Sequence, residues 1–532
     1  MKTSHAKASV MNVTSVRVCC KIHSEKIYAR NESIALRIFP SCWYCLMRAL
    51  ERTSEKDNVY ENEGGASSVE LFGSAHAADM ATKMPVKAPP VPTPAYDWSG
   101  FYLGGYVGSS WSQSNASTPP PFAAARASAG AQPGSIDLNT TGWTGGVTAG
   151  YNLQLSPSWL VGVEGDFGYF GGGQLFANFD DNSPGDNVDA GEKNRWYATL
   201  RGRVGFVTGP SLIYLTGGVG FVHAMDTFGG NGPGVPAVSA STTTTGGAFG
   251  AGIETKLSRN WSAKTEYLFI DGGSDHGFLS NPLGSPTNVP TNFSHNFQVI
   301  KTGLNYRFDG NWDGLPFFNG QMLASNHNWN GFYVGGNAGI GTSLTHVHSL
   351  SPTSGDNNVN GTGFAGGGQA GYNYMLWQKY LIGVEGDFGA LAINHSVTDW
   401  DDAVAAGLAA DLVIFSKKTS WHGTLRGRIG TTTGPALFYL TGGAAWVRLQ
   451  DGVPMTPGVG GPPTSKTGTG WTWGGGTEVA LDQHWSAKLE TLYVNSGSSI
   501  HGTFAAPVPA AFPTEFKERF MIVRFGLNYA FN

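Results

Sequence analysis

Cysteine is almost missing from this chain. The four that occur, Cys19, Cys20, Cys42 and Cys45, all lie within the first 50 residues, so no disulfide framework can hold the rest together. Cys42-Trp-Tyr-Cys45 has the spacing of redox and metal sites, but no second pair or βαβ pattern accompanies it. Charge is scarce as well. Asp, Glu, Lys and Arg make up 13% of the 532 residues, about half the roughly 25% of ordinary soluble domains. A net charge of −5 argues against a nucleic-acid partner. No stretch approaches the ~18 uninterrupted apolar residues of a membrane helix.

What the chain has instead is 77 glycines, 12% aromatic residues and period-two alternation. The stretch from Trp196 to Val219 shows it best and returns from Trp421 to Ala444. In each copy two alternating segments flank a Thr-Gly-Pro turn. Trp196, Ala198, Leu200, Val204 and Phe206 fall on one face, and Tyr197, Thr199, Arg201 and Arg203 on the other. Low charge, many glycines and aromatics, and alternation without apolar runs describe a transmembrane β-barrel. A soluble β-sandwich shares the alternation.

The first 77 residues differ in character from the rest of the chain. Ala75-His-Ala77 reads as a signal-peptidase-like site, yet Glu61, Glu63 and Glu70 stand where an apolar run should precede it. The expectation is a mis-assigned start or a frameshift through the signal core, with residues 1–77 disordered or removed. Residues 78–96 form a Pro-rich spacer on the periplasmic side.

An internal repeat organises the remainder. Trp98-Ser-Gly-Phe-Tyr-Leu-Gly-Gly matches Trp329-Asn-Gly-Phe-Tyr-Val-Gly-Gly, and Gly162-Val-Glu-Gly-Asp-Phe-Gly168 recurs unchanged from Gly383 to Gly389. Trp261-Ser-Ala-Lys matches Trp485-Ser-Ala-Lys, and Gly303-Leu-Asn-Tyr matches Gly526-Leu-Asn-Tyr. The first copy predicts eight strands, near 101–112, 142–155, 159–171, 195–208, 211–225, 244–257, 261–271 and 296–308. Short turns at 156–158, 209–210 and 258–260 alternate with long polar loops at 113–141, 172–194, 226–243 and 272–295. The second copy has its short turns near Gln378, Gly434-Pro435 and Asp482-Gln483. Outer-membrane barrels segregate loop lengths in this way, whereas a soluble sandwich has no reason to.

The Trp-Ser-Gly-Phe-Tyr-Leu-Gly-Gly opening, the Gly-Val-Glu-Gly-Asp-Phe-Gly strand and the Gly-Leu-Asn-Tyr-Arg-Phe close resemble the small "porin family" outer-membrane proteins of Gram-negative bacteria, within the OmpA-like eight-stranded superfamily. The resemblance covers residues 75 to 532 as a tandem duplication, and the Ala-Ala-Asp-Met-Ala after the cleavage site suits it. It implies residence in the bacterial outer membrane, contact with outer-membrane lipid and handling by the outer-membrane assembly machinery. Family members usually end on an aromatic residue; here Asn532 follows Phe531.

The fold class expected is therefore all-β: an integral outer-membrane antiparallel β-barrel, built as two tandem eight-stranded up-and-down barrels over 97–309 and 329–532. One 16-stranded barrel is the alternative. The linker at 310–328 contains Pro316, where a single barrel would want a short turn, and each copy carries its own opening and closing motif.

Alternation turns Glu164, Asp166, Arg201, Arg203, Lys264 and Glu266 inward, with Glu254, Lys256, Lys301 and Arg307. In the second copy Glu385, Asp387, Arg426, Arg428, Lys488, Glu490 and Glu478 follow suit. Basic residues facing lipid at mid-membrane would cost roughly 2–4 kcal/mol each. An eight-stranded barrel leaves just enough interior for side chains, so near-balanced charge there should pair and plug it. A conducting path is the competing reading.

No catalytic residue, cofactor or metal site is expected. His276, His295, His346, His348, His395 and His501 fall in or beside long loops without triad or metal spacing. Gly171–Gly173 and Gly366–Gly368 lack the Lys-Ser/Thr of a phosphate loop. Trp98, Trp159, Trp196 and Trp261 suit an interfacial girdle. The function read from all this is a structural envelope scaffold presenting loops. The alternatives are a porin for small solutes, or an adhesin or ligand-binding protein whose unknown extracellular ligand meets loops 113–141, 172–194, 393–420 and 496–517.

Overall fold

The Leu-Arg-Gly-Arg stretch lies inside one 21-residue strand, Val188–Thr208. Leu200 on one of its faces is 63% exposed and Arg201 on the other 1%. In this computed structural model that alternation runs around two closed walls. The structure describes residues 96–531 except 118–134, 173–174, 180–187, 231–237, 281–288, 309–313, 315–326, 350–355, 378, 401–411, 453–462 and 502–513. The readings of residues 1–77, of the spacer to residue 95, of most of the linker, of Gln378 and of Asn532 lie outside the described residues.

The first copy comprises β1 (Gly100–Ser117), β2 (Ser135–Gln154), β3 (Trp159–Phe170), β4 (Leu175–Phe179), β5 (Val188–Thr208), β6 (Ser211–Gly230), β7 (Val238–Lys256), β8 (Trp261–Ser280) and β9 (Val289–Arg307). All eight strands other than β4 form an antiparallel ring, closed by β1 on β9 and by β3 on β5. β4 extends the ladder of β5 near the long-loop end.

The second copy comprises β10 (Gly331–Ser343), β11 (Thr345–Ser349), β12 (Asp356–Val359), β13 (Thr362–Leu376), β14 (Tyr380–Ala392), β15 (Asn394–Trp400), β16 (Leu412–Thr433), β17 (Ala436–Gly452), β18 (Thr464–Ala480), β19 (Trp485–His501) and β20 (Thr514–Ala530). Its ring closes where β10 pairs with β20. Among the described residues no strand of one ring pairs with a strand of the other. The arrangement is two eight-stranded barrels, not one of sixteen strands.

At the tight turns local chemistry decides. Gly209 and Gly434 adopt φ of 57° and 54°, each followed by Pro in a two-residue hairpin loop, the site where glycine avoids a Cβ clash. Asp482 accepts the amides of His484 and Trp485 at 2.8 Å, and those bonds hold its carboxyl below the ordinary range.

At the other end the strands run well beyond the expected limits. β1 continues to Ser117 and β9 begins at Val289, so much of the loops assigned to 113–141 and 272–295 is ladder. The reason is solvent. Past the apolar band nothing requires oily alternation, and Ser and Thr line the ladder, with Ser112 Oγ and Thr140 Oγ1 hydrogen-bonded at 2.8 Å on its buried inner face.

Outward residues are large and apolar over much of both rings: Phe101, Val107, Val163 and Phe167 on the first, Phe332, Val384, Phe388 and Ile429 on the second, all of them exposed. One sector is covered. Trp111 and Ile253 of the first ring pack with Val479, Leu489, Met521 and Val523 of the second. Thr265 and Thr477 hydrogen-bond there at 2.7 Å, and Gln298 donates to Thr342 at 3.0 Å.

Candidate functional site

Each lumen is filled in layers from the short-turn end upward. Trp98 forms the lowest layer of the first barrel. It precedes β1, turns back under the ring and packs with Leu160, Val207, Leu212 and Tyr214. Its backbone N–H donates to Gln154 Oε1 at 2.9 Å. Trp329 repeats this with Leu381, Leu437 and Tyr439. Trp98 is only 3% exposed, so it is no member of an interfacial girdle; Trp159 at 53% and Trp485 at 44% do face outward. The strand has not begun at Trp98, so strand parity says nothing of its direction.

The ionic layer lies above. All twelve inward residues read from alternation, Glu164, Asp166, Arg201, Arg203, Lys264, Glu266, Glu385, Asp387, Arg426, Arg428, Lys488 and Glu490, are at most 7% exposed and meet one another. Register makes the contacts: Glu164 stands directly across from Arg201, and Glu385 from Arg426. Arg201 spans Glu164 at 2.9 Å, Glu266 at 3.0 Å and Asp166. Lys264 lies 2.8 Å from Glu164, and Lys301 lies 2.7 Å from Asp166 and 3.0 Å from Glu266. Arg203 bridges Glu164 and Glu254 at 3.3 and 3.1 Å.

The second barrel repeats the pattern. Arg426 reaches Glu385, Asp387 at 2.8 Å and Glu490 at 3.0 Å. Arg428 bridges Glu385 and Glu478, and Lys488 meets Glu385 at 2.8 Å.

Parity reasoning overlooked the tyrosines that complete the layer. Tyr102 and Tyr214 donate to Glu164 and Glu266, both at 2.6 Å, while Tyr333 and Tyr439 donate to Glu385 at 2.7 Å and Glu490 at 3.0 Å. Arg203 is sandwiched between the rings of Tyr102 and Tyr214 at 4.8 and 5.1 Å. Arg524, the counterpart of Lys301, was missed too. It faces inward at the same parity as Asn528, and counting back from the closing motif would have found it.

Lys256 and Arg307 sit at the rim. Lys256 donates to the Asp97 carbonyl at 2.8 Å, and Arg307 lies 3.4 Å from the Asp97 carboxylate. Burial pushes that carboxyl up, but the Ser99 amide and hydroxyl, Arg307 and Lys256 outweigh it and leave it below the usual range.

A third layer is apolar: Tyr106, Phe170, Tyr197, Leu268, Phe297 and Val299 in the first barrel, Leu391, Val447, Leu492, Phe520 and Ile522 in the second. Beyond it the first barrel brings together Glu192, Asp226 and His295, all buried. His295 is therefore a wall residue of β9 and not a loop histidine, and its neighbours come from positions too far apart in the chain for spacing to reveal.

Closed antiparallel walls that are oily outside and charged inside define an integral β-barrel of the bacterial outer membrane. The family model described as "Outer membrane protein beta-barrel domain" matches residues 71–308 and again 315–531, and the chain belongs to that family. It is 30% identical over 256 residues to the 31 kDa outer-membrane immunogenic protein of Brucella melitensis, a match covering 46% of this chain and 98% of the relative. The 22 kDa outer membrane protein of Rhizobium leguminosarum is 30% identical over 196 residues, covering 36% of this chain and 69% of the relative. Among solved structures, Ail of Yersinia pestis aligns at 16% identity and a TM-score of 0.20, over 39% of this chain and 99% of that one. Neisserial surface protein A aligns at 12% and 0.21, over 40% and 98%.

Proposed function

We propose that the protein is a non-conducting outer-membrane scaffold, two plugged barrels that anchor long hairpins on the long-loop side. The observation that carries this reading is the filling of each lumen. In the first barrel Arg201, Lys264 and Lys301 tie the carboxylates of β3 to that of β8 across the interior, with side chains at most 1% exposed. An apolar layer above and a tryptophan below leave an ion two further zones in which to lose its hydration. The lumen charges contact each other across the interior, as an eight-stranded barrel permits.

Planar-bilayer recording with the refolded full chain tests this. Baseline conductance is expected; steady, large channels would overturn the scaffold reading and favour the porin. The relatives named as immunogenic proteins support presentation of surface loops. They name no ligand, so loop binding stands as the second reading.

A further inference from the structure

Glu192 of β5 and Asp226 of β6 are direct cross-strand partners. Both face the lumen, at 0% and 1% exposure. Two carboxylates opposed on one face repel, and burial leaves the repulsion poorly screened. An imidazole reaches both of them. His295 comes from β9, opposite β5 in the ring, with Nε2 3.2 Å from Asp226 Oδ2 and Nδ1 3.6 Å from Glu192 Oε2. Neither Glu192 oxygen completes a hydrogen bond, and Asn194 Oδ1, on the next inward position of β5, is also without one. The ligand atoms of Glu192, Asp226 and His295 all lie within 4.8 Å of one another.

The second barrel serves as an internal control. The same places there hold Lys417, Asp451 and Glu518. Lys417 pairs directly across from Asp451, and its ammonium meets Glu518. That cluster carries a lysine side chain of its own between the two carboxylates. The ionic layer of the first barrel is balanced as well, with Glu164, Asp166, Glu254 and Glu266 facing Arg201, Arg203, Lys264 and Lys301. Between Glu192 and Asp226 the corresponding place is taken by the His295 ring.

We infer that Glu192, Asp226 and His295 form a binding site for one divalent cation of the Zn2+ class. One imidazole nitrogen and two carboxylates are a donor set for borderline first-row ions. The histidine is prepared for it. Its ring is stacked between Phe293 and Phe297 at 6.4 and 6.1 Å. Ser114 Oγ lies 3.2 Å from Nδ1; accepting that proton, it leaves the Nε2 lone pair for the metal, the outer-shell support usual for a ligating histidine. The bound ion ties β5, β6 and β9 together across the lumen at the base of the long hairpins.

The test uses the full chain refolded in detergent, incubated with Zn2+ or Co2+ and desalted, with metal measured by elemental analysis and unfolding followed by circular dichroism. About one equivalent per chain should be retained, with a higher unfolding temperature than in the chelator-treated protein. Glu192→Lys, which copies the second barrel's solution, should fold, retain no metal and lose the temperature shift; His295→Ala should lose both as well. Should either fail to fold, Glu192→Gln carries the same expectation. The proposal is overturned if the folded wild-type chain retains no metal, or if the folded variants retain as much as the wild type.

Discussion

Lys301 and Arg524 hold the same place in the last strand of their barrels, and each reaches the aspartate of the facing wall: Nζ to Asp166 Oδ2 at 2.7 Å, Nη2 to Asp387 Oδ2 at 2.9 Å. Arg524 does more, gripping Glu490 through Nε at 2.8 Å and Nη2 at 2.6 Å. The first barrel achieves the same closure with a point charge, which lies 3.0 Å from Glu266.

This pairing predicts a graded response at position 524. Arg524→Lys loses the forked geometry but keeps the charge, and should cost about 1 kcal/mol. Arg524→Met leaves Asp387 and Glu490 each short of a partner in a buried layer, and should cost about 3–5 kcal/mol. Urea unfolding in lipid vesicles, read by circular dichroism, separates the two. If the methionine variant proves as stable as the lysine variant, charge pairing is not what holds this layer.

Leu200 and Arg201 make the lipid assignment testable with adjacent residues. Leu200 is 63% exposed and touches little protein. In water Leu200→Arg would be nearly neutral; against lipid it should cost roughly 2–4 kcal/mol. Arg201→Leu fails for the opposite reason, since Glu164, Asp166 and Glu266 lose their shared partner. A loss comparable to that of Arg524→Met is expected. Unfolding of both variants in vesicles is the measurement, and a neutral Leu200→Arg would remove the lipid contact from the account.

How much of the fold was legible in the chain depends on the demands of each environment. Lipid demands an unbroken alternation, so Leu200, Val204 and Phe206 announced the outer face and placed Arg201 and Arg203 opposite. Above the lipid that demand ends. Ladders held by contacts such as Thr227 Oγ1 to Ser239 Oγ at 2.9 Å carry no hydrophobic signal, and these strands were therefore drawn too short. Trp98 was misplaced because its direction is set by the chain reversing beneath the ring. The Glu192–Asp226–His295 cluster is a product of ring closure: register opposes the first two, and barrel curvature brings in the third. No local spacing encodes either operation.

Ring closure also depends on residues that contribute no side chain at all. Gly218 stands directly across from Arg201, and Gly443 across from Arg426. A Cβ at Gly218 would lie 2.1 Å from the Leu200 carbonyl oxygen and 2.7 Å from the Arg201 Cα; at Gly443 the values against Leu425 and Arg426 are again 2.1 and 2.7 Å. Both obstacles are backbone, so neither can swing away. Glycine here lets the walls of β5 and β6, and of β16 and β17, curve tightly toward the lumen, and it leaves room for the guanidinium. Gly218→Ala should thus force the ladder apart beside the central arginine and cost roughly 1–3 kcal/mol, whereas Gly202→Ala, whose Cβ would meet only the Gly217 oxygen at 3.9 Å, should be tolerated. Unfolding midpoints of the two variants in the same vesicles decide the matter. Equal stability would mean that the strands can part there without loss, and that the close approach is not required for closing the barrel.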